Sequence, residues 1–315
     1  MKSTLKHSLI LSIAILFAAC SEKELFVDPE LNTPFHTIGS TNPELNALMN
    51  EFYDRFGTVV LYEFEHRSIS TSWTNDNLLV HYTPARPGDE QYAIKLLKRM
   101  LEDIYNHYPD DFVRKALVYR IYLVDTLQSS PLAPTLFNVV SYPNRMILSG
   151  ISSRQNEFTS AQWSVFLREI EILFMSRFLN VAAPESPTRF FALRGTESTV
   201  PPPVPPSDPL GEYNDQRYRM YMYGYMKGPQ HFLFFEIETT GAPSESQDFG
   251  DYIAFLHHNT ATEIKNVMTR FPLVRQRVMA LLPFLQNVLG LDVIAAQNAK
   301  VPSDPMPRNF FDQFR

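Results

Sequence analysis

Cysteine is almost missing from this chain: Cys20 stands alone among 315 residues. Its scarcity excludes a disulfide framework, a thiolate metal centre and thiol catalysis within the folded part. Stability has to come from a packed core. Basic tracts are missing too. At a net charge of -6 the chain lacks the clustered cations that grip phosphate backbones, so nucleic acid is not an expected partner. After Cys20 no apolar run approaches the roughly 18 residues of a spanning helix. There is no phosphate-cradling glycine loop and no Gly-x-Ser-x-Gly elbow. The eight histidines are scattered. Only His257 and His258 are neighbours, and successive side chains on a helix diverge by about 100°, which reads as a polar helix face rather than a metal pair.

What the chain has in abundance is apolar material, with 44% hydrophobic and 13% aromatic residues, enough to fill the core of a large domain. Its first residues follow another logic. Lys2 and Lys6 precede an apolar stretch from Leu9 to Phe17, and Phe17-Ala18-Ala19-Cys20 supplies small residues for cleavage, which reads as a secretory signal over 1–19. The ending resembles the lipobox of Gram-negative lipoproteins, with Phe17 in place of the usual small aliphatic residue. Cleavage before Cys20 leaves its thiol and its amine open to acylation, and two or more acyl chains hold a protein stably to a bilayer. The expectation is a lipid-anchored protein of the cell envelope, with acylated Cys20 and a hydrated tether over 20–40 ahead of one domain over 41–315.

Within that domain Thr41-Asn42-Pro43-Glu44 reads as a capping box opening a helix through Leu45, Leu48, Phe52 and Phe56, stopped by Gly57. The stretch from Thr58 to Phe64 is β-branched and aromatic, hence a strand, followed by a second helix from Ala93 to Ile104. Further strands are expected over Val118 to Val124 and Phe137 to Val140. A second capping box, Thr159 to Gln162, opens a helix through Trp163 and Phe178 that is apolar around most of its girth, as central core helices are. Prolines from Val200 to Pro209 demand a stiff extended loop dividing two lobes. Helices are then expected over Asp248 to His257 and Leu273 to Leu289, the latter between Pro272 and Gly290. The tyrosine-rich run Tyr218 to Tyr225 reads first as packing against a core, and second as a platform for sugars.

The informative segment is Phe166-Leu167-Arg168-Glu169-Ile170-Glu171-Ile172-Leu173-Phe174, followed by Pro184 to Phe190. With Ser246-Gln247-Asp248-Phe249-Gly250-Asp251, the closing helix into Gly290-Leu291-Asp292, the opening helix and the first strand, it is similar in order to a zinc-binding metallopeptidase family. These proteins are also called substrate-import-associated zinc metallohydrolase lipoproteins. The resemblance implies an α+β, zincin-like fold, with a small N-terminal sheet and helices followed by a mostly helical C-terminal lobe. In that family a His-Glu-x-x-His motif holds zinc on this helix. Carried over, its first histidine falls on Arg168, its catalytic glutamate on Glu169 and its second histidine on Ile172. Isoleucine offers no lone pair, and an arginine cation about 4 Å from Zn²⁺ costs roughly 8 kcal/mol at an effective dielectric of 20. No zinc cofactor is therefore expected, since the ligands are not retained.

Two readings of the position follow. Arg168 and Glu171, three apart, pair inside the core; or Arg168, Glu171 and Glu169 line a reshaped cleft for a carboxylate or sugar. The resemblance further implies a setting beside a TonB-dependent transporter and a glycan-binding lipoprotein in the outer membrane. The chain is then an accessory or binding component of nutrient import, glycan or peptide. The alternative is a peptidase-like hydrolase with an altered site and Glu169 as base.

Overall fold

The first helix shows how local chemistry sets boundaries. Helix α1, Pro43–Phe56, begins at Asn42 rather than Thr41, because the Asn42 side-chain oxygen accepts from the backbone N–H of Glu44 at 2.9 Å and of Leu45 at 3.2 Å. Pro43 takes the first helical position, where its missing N–H costs nothing. Gly57 ends the helix at φ 71°, a left-handed conformation open to glycine. Leu45, Leu48, Phe52 and Phe56 face the core. The computed structural model describes residues 40–64, 69, 81–128, 134–135, 139–142, 144–194, 216–226 and 243–315. Cys20, the signal, the tether through residue 39 and the proline loop from Val200 to Pro209 lie outside the described residues. Ser40, expected in the tether, is instead buried, its hydroxyl accepting from the Asn42 N–H at 3.0 Å.

Strand β1, Val59–Leu61, is shorter than expected. It is followed by β2, His81–Pro84, helix α2, Glu90–Asp103, a single tight turn over Tyr105–His107 and helix α3, Asp110–Ala116. Strands β3, Arg120–Gln128, β4, Pro134–Thr135, β5, Val139–Tyr142, and β6, Arg145–Leu148, complete a sheet in the order β1-β3-β6-β5. β2 and β4 pair with the far end of β3. β1 and β6 run parallel to β3, whereas β5 is antiparallel to β6, so the sheet is mixed. The in-register pairs Ile121–Met146 and Leu123–Leu148 point to the helices, as the strand period of two requires.

The helical part is built around α4, Ser160–Val181, opened as expected by a Thr159–Gln162 capping box. Beyond a short turn α5, Thr188–Phe191, and α6, Gln216–Met222, come α7, Glu245–His258, α8, Ala261–Arg270, α9, Pro272–Pro283, and α10, Val293–Lys300. An aromatic column, with ring centroids at 5.9 Å for Phe52–Tyr105, 5.4 Å for Tyr105–Phe174 and 4.1 Å for Phe112–Phe178, ties α1 and α3 to α4. The architecture is α+β, a small sheet with helices leading into a mostly helical C-terminal part.

Helices α4 and α7 cross at unusually close range. A Cβ on Gly250 would stand 2.6 Å from the backbone oxygen of Ile172 and 2.7 Å from the Ser176 hydroxyl. Helix propensity favours alanine over glycine by about 1 kcal/mol, but a backbone carbonyl cannot step aside, and overpacking costs about 1–3 kcal/mol. The second effect is expected to win. Gly250→Ala should lower the melting temperature measured by circular dichroism by several degrees; an unchanged or raised value would show that the crossing has slack.

Candidate functional site

The charged residues of α4 do not share one environment. Arg168 is half-buried, Glu169 is buried and Glu171 is wholly removed from water. Ile172, one turn after Arg168, is 3% exposed, and its Cγ2 lies 3.2 Å from the place a Gly250 Cβ would occupy. Helix α7 thus packs over Ile172, and among the described residues that part of the α4 face is covered.

Glu171 is the centre of the most polar arrangement in the core. Its Oε1 accepts from Lys300 Nζ at 2.6 Å, from the Tyr108 hydroxyl, and from His257 Nδ1 at 3.0 Å. Its Oε2 meets His258 Nε2. The expected Arg168–Glu171 pair is replaced by this set, in which Lys300 is the closest cation, its side chain only 4% exposed. The expected polar face for His257 and His258 is corrected as well. Both imidazoles are turned inward, and the two oxygens of one carboxylate accommodate their divergence by taking one ring each. His257 Nδ1 also lies 3.2 Å from the Tyr108 hydroxyl, while its Nε2 is buried with no hydrogen-bond partner among the described residues.

The electrostatics follow from this geometry. Burial alone would push the Glu171 carboxyl up, yet Lys300 and the two imidazoles outweigh it and hold the group well below the usual carboxylate range. Burial drives both histidines down, His258 to about 4 with the Lys300 charge adding to the effect, so both rings are neutral near pH 7. Burial and the Glu171 charge push the Tyr108 phenol up. A carboxylate facing four donors has little basicity left for abstracting a proton from water. Its chemistry is that of an internal lock joining α4, α7, α10 and the segment before α3. Removing one member of such a buried set leaves a stranded charge, at about 3–5 kcal/mol.

A second lock explains Asp248. The Arg277 guanidinium from α9 holds it through Nη2–Oδ2 at 2.5 Å and Nη1–Oδ1 at 3.2 Å, with both side chains fully buried. The same guanidinium lies 4.1 Å over the Phe190 ring and 4.6 Å over Tyr252. Arg194 Nε also lies 3.3 Å from the same Asp248 oxygen, Oδ2. Asp248 is therefore structural. In the tyrosine-rich run, Tyr218 and Tyr221 pack on Phe271 at 5.9 and 5.4 Å, and Tyr225 is buried, so the packing reading accounts for them. Among the described residues no group of three or more His, Cys, Asp or Glu side chains is placed to hold a metal ion.

Sequence reasoning missed Tyr108 and Lys300. A single tyrosine after a short turn and a lysine closing an eight-residue helix carry no pattern that would single them out.

No family model and no curated protein sequence matches this chain. Among solved structures it is similar to the crystal structure of a "putative zinc-binding metallo-peptidase" from Bacteroides caccae ATCC 43185. The likeness has a TM-score of 0.54 at 12% identity and covers 82% of this chain and 90% of that one. It is a likeness of fold alone, and it agrees with the α+β arrangement described above.

The lock makes stability depend on pH in a definite direction. His258 titrates at about 4 in the fold but near its ordinary 6.5 when unfolded, so on acidification the unfolded chain takes up the proton first. Stability is complete above 6.5 and is lost as pH falls toward 4, by on the order of 3 kcal/mol. The low value at Glu171 adds a further loss below its ordinary 4.5. Urea unfolding of His258→Gln at steps from pH 7 to 4 should give a flatter profile than wild type. Parallel profiles would mean the ring is not buried neutral.

Proposed function

We propose that this chain is a non-catalytic relative of metallopeptidase-like proteins, anchored to the outer membrane through acylated Cys20. In this reading it serves as a binding or accessory component of a TonB-dependent glycan or peptide import system. The observation that carries the non-catalytic part is the crossing at Ile172 and Gly250, where the helix face that would have to be open is packed shut.

Zinc, named for the structural neighbour, can be tested against this chain's own residues. At the two positions one turn apart stand a guanidinium, which repels a divalent cation, and an isoleucine pressed on another helix. The nearby imidazoles of His257 and His258 are committed to Glu171, beside the Lys300 ammonium. These residues do not fit a zinc ion. The rival reading is hydrolysis by an altered site with Glu169, a buried carboxyl on the same helix, as base. The anchoring part rests on the lipobox-like Phe17-Ala18-Ala19-Cys20 and its apolar lead-in.

Two measurements test these parts separately. Elemental analysis of the dialysed protein is expected to find no stoichiometric zinc; one tightly held ion per chain would overturn the non-catalytic reading. Radiolabelled palmitate is expected to enter the wild type, recovered with the outer-membrane fraction, and not Cys20→Ala. Equal labelling of both would remove the anchor and the import setting with it.

A further inference from the structure

Two arginines on α9 show what a guanidinium asks of its surroundings. Arg277 faces inward and receives a bidentate carboxylate from Asp248. Arg275, two residues earlier, is half-buried and has no acidic partner among the described residues. It borders a surface cavity of about 350 Å³, lined also by Gln276, Met279, Gln313, Phe314 and Arg315. That volume lies within the range of small-ligand sites, roughly 300–1,000 Å³.

The lining has two characters. Met279 lies one helical turn from Arg275 on the same ridge, and Phe314 is partly buried, its ring 5.9 Å from that of Phe310. They form an apolar wall. The other members are polar or cationic. Arg315 is partly answered by Asp312 at 3.3 Å, an exposed contact of small worth, which leaves Arg275 as the dominant charge. A half-buried guanidinium forms its strongest contact with a planar carboxylate, two N–H groups meeting two oxygens.

We propose that this cavity binds a small organic carboxylate with a flat apolar body. The carboxylate is held by Arg275, with Arg315 as a second cation, and the body rests against Met279 and Phe314. A neutral molecule of the same shape leaves Arg275 unanswered, and a carboxylate without a body forgoes the apolar wall. The site stands apart from the Glu171 lock and does not depend on the function proposed above.

Calorimetric titration of the full-length chain with benzoate, benzamide and acetate tests it. Benzoate should bind one per chain and at least about tenfold more tightly than benzamide, which lacks the charge-assisted contact, and than acetate, which lacks the apolar body. Arg275→Gln should remove that advantage without changing the melting temperature. Met279→Glu, which sets a carboxylate beside Arg275, should abolish benzoate binding and serves should Arg275→Gln fail to fold. Equal binding of benzoate and benzamide, no binding of benzoate, or undiminished binding by a folded variant would overturn the proposal.

Discussion

A carboxylate cut off from water must be answered at once by every donor it can reach, and the organisation of the helical part follows from how Glu171 is answered. Lys300 comes from the end of α10, two imidazoles from the last turn of α7, and a phenol from the segment before α3. None of these elements can drift without exposing a bare charge to a low-dielectric interior. Apolar packing around α4 sets the volume, but it tolerates sliding far better than a four-donor acceptor does.

The Asp248–Arg277 pair performs the same task for α7 and α9, with the difference that its cation cannot be neutralised. Together the two locks act on both ends of α7. Its first turn is held by Arg277 and Arg194, and its last by Glu171, while Gly250 between them lets the helix lie almost on the backbone of α4. A helix fixed at both ends and seated at its middle makes a wall, not a hinge.

Much of this architecture is legible in the chain, for identifiable reasons. Helices α1 and α2 show their apolar periodicity, and the Thr159–Gln162 box marks the start of α4 within a residue. Gly57 and Gly290 adopt the left-handed conformations that helix ends favour. Short pieces were invisible: β6 has four residues, and α3 seven, too few for a period to declare itself. The site was legible only in part. Periodicity sets the His257 and His258 side chains about 100° apart, but it shows neither that both turn inward nor what waits there. Their partner lies more than 80 residues away in sequence and Lys300 lies 129 residues from Glu171, distances over which pattern carries no information.

The close crossing at Gly250 also bears on which sequences lie within reach of this one. Any side chain at 250 collides with the Ile172 carbonyl and the Ser176 hydroxyl of α4. The carbonyl is the same whatever residue stands at 172, so no exchange of that side chain makes room at 250. Room at 250 would require a coordinated shift of α7, which both ionic locks resist. Glycine at 250 is thus tied to the spacing of the two helices itself rather than to any one neighbouring side chain.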